Sequence, residues 1–310
     1  MIQPPPLVAQ RLAALGERGA AWLADLPALL TGVAERWGLT YGEVFSGGTA
    51  AVVVAARRST DGLDCVVKAF VPEPYDERGF ERSVLTHGLA GGRGCVAMLD
   101  HDPVRRMMLL ERLGPDLGAL GRTVPQILEA VSATLLEFWR PVPADAALPD
   151  GVYATQWLAG FITTTWEQLG RPCDRLVIDR AMAYCDERAA AFDPATAVLV
   201  HGDAHGWNTL TVPGGAGRGG CKFVDPEGLR SERAHDLGIP MREYNGELIR
   251  GDTARLTRQR AEWLGARCDV DPEAVWQWGF IERVSTGLAN LRDFDTDDGP
   301  TFLEVARRCC

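Results

Sequence analysis

The chain has 310 residues, 46% hydrophobic and 24% charged, which is ordinary for a soluble globular protein and long enough for two lobes with separate cores. A formal net charge of −10 argues against a nucleic-acid partner, because phosphate backbones need a basic surface, and suits cations, including Mg²⁺ and polyamine-like substrates. No segment approaches the roughly 18 uncharged apolar residues that cross a bilayer. The start, Met1-Ile2-Gln3-Pro4-Pro5-Pro6, lacks the charged and apolar regions of a signal peptide, so a cytoplasmic, monomeric protein without a membrane partner is expected. The eight cysteines include no CxxC pair and no zinc-type spacing, which implies reduced, mostly buried thiols.

Residues 1–18 open on a proline run that predicts an extended, loosely held segment. From Ala20 to Trp37 apolar residues recur at helical spacing, with an interruption expected near Pro27. A strand follows from Thr40 to Phe45, then Ser46-Gly47-Gly48-Thr49, then the β-branched run Val52-Val53-Val54. A phosphate-covering loop and a plain hairpin both need glycines at such a turn. Cys65 to Phe70 reads as a strand carrying Lys68, the one lysine of this half; in a half-buried strand it must snorkel or find an anion. A helix is expected near Asp76 to Leu89, with Glu77 and Glu81 on it, then strands from Cys95 to Leu99 and from Arg106 to Glu111. Gly114-Pro115 breaks regular structure just beyond Glu111 and Leu113 and marks a lobe boundary.

Val124 to Trp139 has the apolar spacing of a buried helix, and Asp150 to Gly170 and Cys173 to Phe192 read as two more. Val198-Leu199-Val200 then delivers a polar loop, His201-Gly202-Asp203-Ala204-His205-Gly206-Trp207-Asn208. After the Gly-rich turn at 213–220 a second apolar run ends at Asp225. From Gly238 onward the chain is expected to be helical, up to the acidic stretch holding Asp293, Asp295, Asp297 and Asp298. Carboxylates packed this closely repel each other unless a cation or solvent relieves them.

An aspartate, an asparagine five positions on, and a strand-terminal aspartate form a phosphoryl-transfer layout. In kinase-like enzymes the first meets the acceptor hydroxyl, and the other two hold Mg²⁺ against the phosphates. Asp203, Asn208 and Asp225 have that order and spacing. His201 and His205 sit i, i+4, but in a loop broken by Gly202 and Gly206, which favours scaffold hydrogen bonding over a metal site.

The run from His201 to Asn208, with Val224 to Leu229 and His235-Asp236-Leu237, resembles the bacterial aminoglycoside phosphotransferase superfamily, and within it the branch of streptomycin 6-phosphotransferases and hydroxyurea phosphotransferases. The segments Gly19 to Leu30 with Arg36-Trp37, Val96 to Asp102 and Met108 to Leu113 are similar to the same branch. The resemblance implies an α+β, bilobal protein-kinase-like fold: a small antiparallel-sheet N-lobe at 1–112 and a mostly helical catalytic and substrate-binding C-lobe at 113–310.

It further implies ATP and Mg²⁺ as cofactors and an antibiotic hydroxyl as acceptor. Asp203 would be the base. Asn208 and Asp225 would be metal ligands. Lys68 would contact the phosphates and pair with Glu81, with Glu77 the runner-up. Ser46, Gly47, Gly48 and Thr49 would cover the nucleotide, and backbone groups of Glu111 and Leu113 would hold its adenine. Asp236 would tie the loop together or reach substrate, and Asp293, Asp295, Asp297 and Asp298 would grip a cationic acceptor. Streptomycin, with its guanidinium groups, comes ahead of neutral hydroxyurea. A catalytically silent nucleotide-binding protein and a nucleotide-independent metal hydrolase are the competing classes.

Overall fold

The computed structural model describes residues 3–46, 48, 51–72, 78–215, 220–293 and 298–310. Two compact units emerge, Met1–Leu113 and Gly114–Cys310.

The first unit holds helices α1 (Pro6–Ala14), α2 (Glu17–Trp37) and α3 (Gly79–Ala90) and strands β1 (Leu39–Val44), β2 (Ala51–Arg58), β3 (Asp64–Phe70), β4 (Met98–Asp102) and β5 (Met107–Glu111). The strands form one antiparallel sheet in the order β1-β2-β3-β5-β4. Side chains alternate across a strand, so Val52, Val54 and Ala56 of β2 and Cys65, Val67 and Ala69 of β3 face one way, into a core shared with Leu26, Leu30, Val33 and Trp37 of α2. Each such buried aliphatic side chain contributes roughly 1.5–3 kcal/mol relative to exposure. The same alternation turns Lys68 to the opposite face, between Val53 and Met108 in register, and Met108 Sδ lies 3.7 Å from Ser83 Oγ of α3.

Three expectations for this unit need correcting. The opening is helical: Pro6 sits in the first turn of α1, where its fixed φ suits a helix and its missing N–H costs nothing, and Val8 and Leu12 drop one face into the core. Pro27 lies inside an unbroken α2; its side is exposed, so water can satisfy the carbonyl one turn back that loses its partner. Strand β4 begins three residues later than Cys95, because Cys95 and Val96 are buried outside the ladder while Asp100 and Asp102 inside it are held by Trp37 Nε1 at 2.7 Å and Arg36 Nη1 at 3.2 Å.

The second unit is mostly helical: α4 (Val124–Phe138), α5 (Gly151–Gln168), α6 (Arg175–Ala191), α7 (Arg233–Arg242), α8 (Asn245–Leu248), α9 (Thr253–Cys268), α10 (Pro272–Asp293) and α11 (Asp298–Arg308). Helix α10 is buried on nearly every side from Ala274 to Leu288 and lies against α5, α6, α7, α9 and α11, so its polar residues Gln277, Glu282 and Arg283 must find partners within the protein. Four short strands complete the unit: β6 (Val198–Val200) pairs with β9 (Leu229–Ser231), and β7 (Thr209–Thr211) with β8 (Cys221–Phe223). Among the described residues no helix is long and apolar enough to cross a membrane.

Candidate active site

Strand β6 is wholly buried and delivers the 201–208 loop at a fixed point. Gly202 turns the chain with φ +84°, and a Cβ there would meet Cβ of Glu227 at 3.1 Å, so only glycine fits. The buried carboxylate of Asp236, on the first turn of α7, accepts from His201 N, Gly202 N and Trp139 Nε1, each at 2.8 Å. The alternative in which Asp236 reaches substrate is therefore corrected: with no exposed surface and three N–H donors on it, Asp236 fixes the loop's backbone.

His201 is equally enclosed. Its Nδ1 accepts from Asp203 N at 3.1 Å, so the proton sits on Nε2 and is donated to the Val224 carbonyl at 2.9 Å. Burial pushes its pKa below the ordinary histidine value, and the ring is a neutral strut joining the loop to the end of β8.

Asp203 itself is half-buried. Its Oδ1 accepts from Arg242 Nη2 at 2.6 Å, and its Oδ2 accepts from His205 Nε2 at 3.2 Å and Asn208 Nδ2 at 3.1 Å. Burial by itself would push this carboxyl up, but the His205 and Arg242 charges outweigh it and hold Asp203 well below the usual carboxylate range. Burial likewise disfavours a charged His205, yet Asp203 raises its pKa above the ordinary value. The carboxylate is thus ionised at neutral pH. It can accept a hydrogen bond from an alcohol but is a weak proton store.

Asn208 closes a single 3-10 turn, Gly206–Asn208, and its Nδ2 also donates to the Asp203 carbonyl at 3.0 Å. Both of its N–H groups are thereby spent on Asp203, and among the described residues Oδ1 takes no protein donor. The Asn208 carbonyl accepts from Val224 N at 2.9 Å, which sets Asp225 beside it. Asp225 is exposed and adopts φ +57°, a left-handed conformation that a non-glycine residue takes only where its surroundings enforce it. An amide oxygen and a carboxylate so placed are the hard oxygen donors that Mg²⁺ takes, and Mg²⁺ needs only one or two from protein when phosphates supply others. Glu227 N donates to the His201 carbonyl at 2.8 Å, tying the far side of the loop.

The residues expected at the nucleotide lie in the first unit. Lys68 is buried on β3, with Nζ 4.7 Å from the centre of the Phe70 ring. Ser46 and Gly48 are exposed at the β1–β2 turn, Gly48 with φ +89°, while Gly47 and Thr49 lie outside the described residues. Glu81 is not brought to Lys68. Its carboxylate is 58% exposed and meets Arg106 Nη1 at 3.6 Å, because the first turn of α3 points it toward the β4–β5 connection. The runner-up, Glu77, lies outside the described residues. Glu111 is turned back onto the sheet: its N–H donates to the Ala97 carbonyl at 2.9 Å and its Oε1 accepts from Ala97 N at 2.7 Å. Leu113 closes the unit two residues beyond β5.

Of the acidic stretch, Asp293 is paired through both oxygens with Arg292 at 2.7 Å each, and Asp298 opens α11, where an anion complements the helix dipole. Asp295 and Asp297 lie outside the described residues. Sequence spacing alone misses Arg242, the partner of Asp203. Its signal was a charged residue directly after the apolar run Leu237 to Met241, and the matching one was Glu282 within the apolar stretch of α10.

A streptomycin 6-kinase of Streptomyces glaucescens is 30% identical over 98% of this chain and 94% of its own length. A hydroxyurea phosphotransferase of Kitasatospora aureofaciens is 31% identical over 94% of this chain and 80% of its own. Among solved structures, an aminoglycoside phosphotransferase in ternary complex with ADP and hygromycin B superposes with a TM-score of 0.57 at 14% identity, over 90% of this chain and 97% of that one, a likeness that establishes the kinase-like fold. The family model described as aminoglycoside/hydroxyurea antibiotic resistance kinase matches residues 36–293, and the chain belongs to that family.

Proposed function

We propose that this chain transfers the γ-phosphoryl group of ATP to a hydroxyl of a small antibiotic, with streptomycin the first acceptor and hydroxyurea the second. The observation that supports the reading is that Asn208 Nδ2 bonds the ionised Asp203 carboxylate on one loop, while the Asn208 carbonyl takes the N–H of Val224, the residue before Asp225. Asp203 accepts the hydrogen bond of the acceptor hydroxyl and orients its oxygen at the phosphorus. As the new O–P bond forms, the bond from the γ-phosphorus to the β-phosphate oxygen breaks and ADP leaves, and the hydroxyl proton, held by the Asp203 hydrogen bond through the transfer, passes to the phosphorylated product or to solvent. Asn208 Oδ1 and Asp225 hold Mg²⁺, which when bound neutralises charge on the phosphate oxygens. Lys68 contacts the remaining phosphates as a compact point charge.

The relatives support both acceptors nearly equally, at 30% and 31% identity, and the net charge of −10 favours a cation. The grip on a cationic acceptor falls to Asp293, Asp295, Asp297 and Asp298, of which Asp293 would exchange its exposed Arg292 partner for the acceptor. Their replacement by Asn should raise KM for streptomycin and leave that for ATP unchanged; an unaltered KM for streptomycin would return them to a solvated role.

The direct test is incubation with ATP, with and without Mg²⁺, and separately with streptomycin, other aminoglycosides and hydroxyurea, read by mass for an added phosphoryl. A phosphorylated antibiotic that forms only with Mg²⁺ is the expected product. Nucleotide binding without acceptor-dependent ADP release would instead mark a silent nucleotide-binding protein.

A further inference from the structure

Three nitrogens of Arg242 meet three different carboxylates: Nη2 donates to Asp203 Oδ1 at 2.6 Å, Nη1 to Glu282 Oε2 at 2.9 Å and Nε to Glu243 Oε1 at 3.1 Å. A planar guanidinium held at three points has no rotational freedom left, and lysine, a single point charge, cannot reproduce the arrangement. The side chains of Arg242 and Glu282 are 12% and 7% exposed, so their contacts are little screened by solvent.

Helix α7 thereby holds the loop twice. Asp236 on its first turn fixes the backbone N–H groups of His201 and Gly202, and Arg242 on its last turn fixes the side chain that follows them. Glu282 anchors Arg242 to α10, and its other oxygen faces His235 Nε2 at 3.6 Å.

Lone pairs decide what this clamp does. An ionised carboxylate offers about two acceptor sites on each oxygen. Among the described residues, Asp203 Oδ2 already takes two donors, His205 Nε2 and Asn208 Nδ2, whereas Oδ1 takes one, Arg242.

We propose that Asp203 Oδ1 is the atom that receives the acceptor hydroxyl, and that Arg242, braced by Glu282, is the positioning residue that aims its remaining lone pair. The inference rests on the reading of Asp203 as the residue that meets the acceptor. A misplacement of about 1 Å in such a group can cost on the order of 100-fold in rate, which sets the scale of the effect.

The test is a double-mutant cycle of Arg242→Lys and Asp203→Asn, with streptomycin as acceptor and MgADP affinity measured on every variant. Arg242→Lys should lower kcat by roughly 10- to 100-fold while MgADP affinity stays within about twofold of wild type. Added to Asp203→Asn, it should lower the residual turnover no further, because it acts only through that carboxylate. Glu282→Gln keeps an acceptor for Arg242 Nη1 and should fall between wild type and Arg242→Lys. Unchanged turnover in Arg242→Lys, a matching loss of MgADP affinity, or the full further loss on the Asp203→Asn background would each overturn the positioning role. Wild-type turnover in Asp203→Asn alone would instead overturn the reading of Asp203 itself.

Discussion

Two aspartates near the loop have opposite environments, and opposite consequences follow from removing them. Asp203 is half-buried and keeps part of its carboxylate exposed, so on the proposed role Asp203→Ala should leave ATP affinity near wild type while turnover collapses; parallel loss of both would contradict an acceptor-facing role. Asp236 has no exposed surface and three buried donors depend on it. Each orphaned buried donor costs about 1–3 kcal/mol, so Asp236→Ala should lose at least ~3 kcal/mol in urea unfolding. A variant that unfolds like wild type and only raises acceptor KM would return Asp236 to the substrate. In the sequence Asp203, Asn208 and Asp225 could be picked out together because the first two share one turn of loop and the third ends a neighbouring strand. Arg242, 39 residues from the carboxylate it holds, could not, since nothing local to it names its partner.

At the scale of elements, the loop's geometry depends on how closely α7 and α10 approach. A Cβ added at Gly238 would lie 2.8 Å from Trp278 Cβ and 2.9 Å from the Trp278 carbonyl carbon, and one at Gly279 would lie 2.6 Å from Met241 Cβ. Overpacking at such a contact costs roughly 1–3 kcal/mol. Gly238→Ala should therefore lower Tm and also lower turnover, because the helix pushed outward carries both Asp236 and Arg242. A lowered Tm with unchanged turnover would show that α7 does not template the loop. The helices themselves were largely readable from apolar spacing and caps, such as Asp150 accepting from Tyr153 N at 2.9 Å ahead of α5. The misreadings occurred where packing overrules propensity. Val8 and Leu12 make a helix of a proline-led segment, and Trp37 and Arg36 hold the polar residues of β4 in a strand.

For the molecule as a whole, acid stability should be set in part by Asp102, whose side chain is 1% exposed between Arg36 and Arg105. Burial alone would push this carboxyl up, but bonds from Arg105 and the charge of Arg36 hold it below its ordinary value. A carboxyl depressed in the folded state contributes stability above its unfolded pKa, and that contribution is lost as pH falls through the folded value. Asp102→Asn should thus melt below wild type at pH 7, and the gap should begin to shrink only as the pH drops under about 4, closing as it falls through the lower folded value. A gap independent of pH would assign the cost to packing alone.

What the sequence by itself determined was chemistry carried by neighbours: the kinase-like order of Asp203, Asn208 and Asp225, the buried strand holding Lys68, and the resemblance that the family match bears out. Only the tertiary structure decided which charges meet. Glu81 goes to Arg106, Asp293 to its neighbour Arg292, Asp236 to backbone N–H groups, and Arg242 to Asp203. The physical reason is range. Spacing along a loop or strand fixes what lies a few residues apart, whereas a buried charge takes whatever partner the packing of distant helices brings within about 3 Å.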